Sequence, residues 1–121
     1  MRVSIKLGHP ERANEMIEIV DALVDKGATF TVVPRVVSEE LGLSVYGRRR
    51  ARSEAGVVEL DEAYALFEYE GRRAVIIVLI SDSYPGVLVG VLTLEALGLA
   101  VDPALGKLMN SEILLLQVFE I

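Results

Sequence analysis

Apolar and polar residues alternate along the chain in short segments. Turn signals separate them at His9-Pro10, Gly27, Gly42, Gly47, Gly56, Gly71, Pro85-Gly86, Gly98 and Pro103. Punctuation this frequent favours many strands over a few long helices. "AVIIVLIS", beginning at Ala74, is β-branched and too short for a buried helix, so it reads as a strand, as does the C-terminal "ILLLQVFEI". Two windows pull the other way. "ERANEMIEIVDALVDKG" sets Met16, Ile17, Val20, Leu23 and Val24 at helical spacing, with Lys26 and Gly27 where a helix would end. "LDEAYALFEYEG" stacks Leu60, Ala63, Tyr64 and Phe67 on one helical face, with Asp61 near its start. Local pattern alone would therefore make the protein α/β. It also leaves "LVDKGAT", Leu23 to Thr29, open: either a helix ends there with Gly27 as a left-handed cap, or a strand delivers Asp25 into a glycine turn.

Composition narrows the function classes. The 121 residues fit one domain spanning 1–121, and 52% hydrophobic residues with a mean hydropathy of +0.44 imply that part of the surface is covered by another chain. A formal charge of -6 argues against nucleic acid as a partner, since affinity for a phosphate backbone rests on clustered positive charge. "GRRRAR", Gly47 to Arg52, is the one basic run and reads as a solvated hairpin arm. Cys is absent, which removes disulfides and thiolate metal sites and fits a cytoplasmic protein. The chain opens on no charged-then-apolar leader, and its longest apolar run, Ala74 to Ile80, falls far short of a membrane span, so no membrane partner is expected. With one His, His9, and no Cys, neither a metal site nor a nucleophile–base set is expected. Asn at only 14 and 110 and Gln at only 117 hint at a hot habitat.

Long-range order resolves the local ambiguity. "LVDKGATFTVVPRVVSEELGL" is followed, after a plausible flap hairpin, by "LVGVLTLEALGLAVDP". This succession resembles the retropepsin-like aspartic peptidases, particularly their small cellular, non-viral branch. In that family an apolar strand runs into Asp-Thr/Ser-Gly-Ala, a strand ending in Pro leads to a short helical turn closing on Leu-Gly, and two apolar residues plus Gly precede a helix. The likeness covers about Val20 to Leu108. It implies an all-β acid-protease barrel with one short C-terminal helix, "TLEALG" from Thr93, capped near Thr93 and ended by Gly98. It also implies that the chain is half of a twofold-symmetric homodimer, and that both helical-looking windows are strands.

The resemblance assigns roles residue by residue. Asp25 matches the catalytic aspartate; two copies meeting on a twofold axis would share one proton and activate a water against a peptide or protein substrate, with no cofactor. Gly27 would turn the chain and bring backbone N–H groups towards the carboxylates. Ala28 and Thr29 match positions beside the substrate main chain. Ser53, Glu54, Ala55, Gly56 and Val57 fall where the flap should be. Leu88, Val89 and Gly90 match the element beneath the active-site turn, where relatives often continue with Arg, Asp or Asn; Val91 stands here, so no polar support is expected.

Lys26 departs from the pattern. The family has Thr or Ser, whose hydroxyl bonds across the axis to the partner's loop, and two ammonium groups there would repel. The implied aspartic endopeptidase activity is therefore set beside a catalytically inactive peptide-binding or structural dimer. Lys26 could also pair with Asp25, or snorkel to solvent. A looser likeness, of "LGLSVYGRRRARSEAGVVELDEAYALFEYEGR" to the N-terminal module of archaeal transfer-RNA splicing endonucleases, lacks the His that chemistry needs, since none follows residue 9.

Overall fold

A computed structural model describes residues 1–112. The expected C-terminal strand "ILLLQVFEI" lies outside the described residues. Nine strands are present among them: β1 (Arg2–Gly8), β2 (Ile17–Val24), β3 (Thr31–Pro34), β4 (Val45–Ser53), β5 (Gly56–Tyr69), β6 (Arg72–Ser81), β7 (Leu88–Val89), β8 (Leu99–Asp102) and β9 (Lys107–Asn110). Two short helices join them, α1 (Arg35–Leu41) and α2 (Val91–Ala96). Both helical-looking windows are strands, β2 and β5, because cross-strand pairing on two sides outweighs a local helical spacing.

The larger sheet runs β1-β2-β7-β3-β6-β5-β4, and an additional β1–β5 pairing closes six of its strands into a barrel. Leu7 opposite Phe67 marks that closure. β4 stays outside the closed ring, paired only with β5 along a hairpin. β8 and β9 form a separate two-stranded sheet.

Strand periodicity decides what is buried. Ala63, Ala65 and Phe67 of β5 and Ile76, Val78 and Ile80 of β6 alternate onto the inner face, where they meet Ile5, Leu7, Val33 and Val89 in one core. Each of the larger side chains contributes about 1.5–3 kcal/mol through removal from water. The opposite face is also apolar: Leu66 and Leu79 are buried outside that core, while Tyr64 and Val75 stand exposed. Pro34 ends β3 and carries the chain into α1, which closes at Gly42 in the left-handed region, as the "LG" signal implies.

α2 differs from its expected form. It spans Val91–Ala96, its N-cap is Gly90, and no side chain caps it. Thr93 lies inside the helix with its hydroxyl turned to Thr31, so it is no cap. Gly98, at φ 69°, follows two residues after the last helical turn.

Candidate active site

Asp25 is the first residue after β2, and the path that places it there is set by β7. This two-residue strand lies between β2 and β3, parallel to the first (Leu23 opposite Leu88, Val24 opposite Val89) and antiparallel to the second (Val32 opposite Leu88). The register continues one step beyond β2, with the Asp25 N–H donating to the Val89 carbonyl at 3.0 Å. The chain then turns, and Ala28 N–H returns to the Asp25 carbonyl at 3.1 Å.

Within this turn Gly27 N–H donates to Asp25 Oδ1 at 2.9 Å. That bond fixes one of the carboxyl oxygens. Gly27 lies outside the left-handed region, so it is no helix cap. Space is its requirement: a Cβ at Gly27 would sit 3.2 Å from Asp25 Oδ1. Asp25 is half-buried, and Lys26, Gly27 and Thr29 are exposed. Lys26 makes no ion pair among the described residues, with Asp25 or with any other group. Asp25, Lys26 and Gly27 line an open groove of about 470 Å³ together with Met1, Val24, Val101 and Pro103.

The support beneath the turn is polar after all, contrary to the expectation drawn from Val91. Thr31, fully buried, accepts the Gly90 N–H on its hydroxyl at 3.1 Å, and that hydroxyl also meets the hydroxyl of buried Thr93 at 2.6 Å. Val91 and Leu92 N–H groups, which a helix start leaves without partners, donate to the carbonyls of Ala28 and Thr29 at 2.9 and 3.0 Å. The turn after Asp25 thus caps α2, and α2 in return pins the turn. Gly90 is required by the closeness of this packing. A Cβ there would lie 2.5 Å from the carbonyl carbon and oxygen of Phe30 and 2.8 Å from the Thr29 carbonyl. The clue in the sequence was two polar residues, Thr31 and Thr93, inside otherwise apolar segments.

Ser53 to Val57 fall on the tip of the β4–β5 hairpin. Glu54 and Ala55 form a two-residue turn between paired Ser53 and Gly56. Ser53 Oγ accepts from Ala55 N–H at 3.2 Å and donates to the Gly56 carbonyl at 3.1 Å. Gly56, at φ 112°, holds a conformation that L side chains rarely adopt. Every residue of the tip is exposed, and none lines the groove beside Asp25.

The arginine run is only partly the solvated arm expected of it. Arg48, Arg50 and Arg52 are exposed, whereas Arg49, on the other face of the strand, is drawn in. Its Nε donates to Glu62 Oε1 at 2.6 Å and its terminal nitrogen to Oε2 at 3.2 Å. Tyr46 donates to the same carboxylate. These donors hold the Glu62 carboxyl below the usual carboxylate range, Arg49 contributing most, and burial with the Glu62 bond raises the Tyr46 phenol. The Tyr46 ring stacks on Tyr64 at 4.4 Å, and the two border a separate groove of about 370 Å³ that shares no lining residue with the first. Nearby, Arg35 grips Asp82 with two bonds of 2.8 and 2.9 Å and reaches Asp61 at 2.8 Å, which lowers the Asp82 carboxyl.

Among the described residues no cluster of three or more His, Asp or Glu could hold a metal ion, and no helix is long and apolar enough to cross a membrane. No protein-family model and no curated protein matches the sequence. Solved structures do match. The EIAV protease complexed with the inhibitor HBY-793 superimposes with a TM-score of 0.59 at 15% identity, over 95% of this chain and 92% of that one. The simian foamy virus (mac) protease gives 0.51 at 21% identity, over 74% and 87%. The retroviral protease-like domain of Ddi1 from Leishmania major gives 0.50 at 13% identity, over 93% and 90%. The fold is therefore retropepsin-like and all-β, as the ordering of the two motif blocks implies.

Proposed function

We propose that this chain is an aspartic endopeptidase that acts as a homodimer, with one Asp25 from each protomer at the centre of a shared cleft. The observation carrying the reading is the half-buried Asp25 carboxylate, held by the Gly27 N–H at the mouth of an open groove. In a retropepsin-like fold of this length, one protomer supplies a single such group, and amide hydrolysis by carboxylates needs an acid and a base together.

Two Asp25 side chains close together share one proton, because like charges a few ångström apart resist double ionisation. The ionised member takes a proton from a water lying between them as the water oxygen bonds to the scissile carbonyl carbon. The protonated member gives its proton to the carbonyl oxygen, which forms a neutral gem-diol. Collapse of that diol breaks the C–N bond. One hydroxyl gives its proton to the ionised carboxylate, the protonated carboxyl of the pair gives its proton to the departing amine nitrogen, and the shared-proton state is restored. The extended peptide is held by main-chain hydrogen bonds along the cleft, beneath the β4–β5 hairpin.

Lys26 favours a second reading, a dimer that binds peptides without cutting them. Its exposure supports a solvent-directed ammonium, which leaves Asp25 free to share its proton but supplies no hydroxyl across the axis. Two measurements separate the readings. Sedimentation of the purified chain should give a dimer, and peptide hydrolysis at acidic pH should fall by at least roughly 10²–10⁴-fold in Asp25→Asn. A strict monomer under assay conditions would sink the shared-cleft mechanism. A silent wild type that gains turnover as Lys26→Thr would identify the binding-only form.

A further inference from the structure

The turn bearing Asp25 is fixed from below by backbone bonds, but it also touches the flap arm. The guanidinium of Arg49 on β4 lies over the ring of Phe30, with its carbon 4.4 Å from the ring centroid. Phe30 directly follows Thr29, and its backbone is held tightly against Gly90. Its ring therefore sits on a rigid base. Arg49 is rigid for a different reason: both its bonds go to Glu62, which is only 6% exposed and whose second donor is Tyr46. A planar guanidinium gripped along its edge by a buried carboxylate presents its face in one direction, and here that face covers Phe30.

We propose that Glu62, Arg49 and Phe30 form a positioning relay that holds the β4–β5 hairpin against the turn bearing Asp25. The proposal rests on the peptidase reading for its functional half and on the geometry alone for its structural half. Arg49 and Phe30 are positioning residues. They sit between the hairpin and the turn, and their separation sets how far the arm can lift.

The test has two independent readouts. Amide hydrogen exchange along Arg50–Val57, referenced to β1 amides in the same sample, reports opening of the hairpin without any substrate. Arg49→Lys keeps the charge but loses the planar face, and Phe30→Leu keeps the bulk but loses the ring. Each should raise hairpin exchange roughly fivefold over the β1 reference, as loss of one cation–π contact implies. The double variant should exceed neither single one, because both remove the same contact. Phe30→Tyr should restore wild-type exchange. The second readout is peptide hydrolysis, where kcat/KM should fall mainly through KM. Hairpin rates unchanged in both single variants, or effects that multiply in the double variant, would overturn the relay. A wild type that cleaves no peptide would defeat the peptidase reading instead, and the exchange data would still decide the relay.

Discussion

The turn at Asp25 and the tip of the β4–β5 hairpin lie at opposite extremes of constraint. The turn is bonded to β7 and α2 through the backbone of Asp25, Ala28 and Thr29, and a buried threonine pair lies beneath it. The tip has its own two-residue turn, a serine that bonds only within it, and exposure at every position. The contrast shows how a single barrel can fix a carboxylate through bonds to neighbouring elements while a hairpin tip is held only by bonds of its own. Backbone bonding in a dry interior resists displacement, whereas a solvated hairpin opens at small cost.

The comparison can be broken from either side. Gly90→Ala should have the largest effect, because its methyl would meet backbone atoms that cannot rotate away. A loss of about 3 kcal/mol in chemical denaturation is expected, together with the loss of native amide dispersion around Asp25. Thr93→Val should come next, removing one partner of the buried hydroxyl pair and costing about 1–2 kcal/mol by the same measurement. At the hairpin tip, Gly56→Ala forces an L residue into a strained backbone region, at about 1 kcal/mol. Because the tip is solvated, that cost should appear as faster local exchange with little change in the global midpoint. A Gly56→Ala effect on global stability equal to that of Gly90→Ala would erase the distinction.

The smallest expected effect concerns Asp82. Arg35 depresses its carboxyl in the folded state, so its contribution to stability is present above the ordinary aspartate value near pH 4 and is lost as pH falls through the lower folded value. The difference in thermal midpoint between wild type and Asp82→Asn should be small at pH 7, because Asp82 is largely exposed and its pairing is screened, and should vanish once the pH lies below the depressed folded value. A difference that persists undiminished at that pH would mean the pairing with Arg35 is not its source.

Much of this was legible in the sequence, though unevenly. "LVDKGATFTVVP" and "LVGV" give the strand–turn–strand path because motif order carries long-range information that a window around Leu23 does not. The periodicity of "LDEAYALFEYEG" misleads because Leu60, Ala63, Tyr64 and Phe67 share one face of a helix but fall on opposite faces of the strand, and only pairing with β4 and β6 decides. The hairpin tip was placed by spacing alone, and Gly56 fell at the turn. What stayed hidden were partnerships between distant residues. Thr31 and Thr93 are 62 positions apart, so their polarity inside apolar segments is a clue to buried support, but nothing local shows that they meet. Arg49 was hidden inside a run of arginines, where only strand alternation distinguishes the inward member from its neighbours.

β4 ends the sheet order, so one side of it has no neighbouring strand among the described residues. A bare rim of this kind invites stray chains to add on and build fibres. Here it bears exposed Arg50 and Arg52, which make no ion pair among the described residues, and a second copy approaching rim to rim would bring cation against cation. The arm that ends the sheet is thereby guarded against sticking to its own kind.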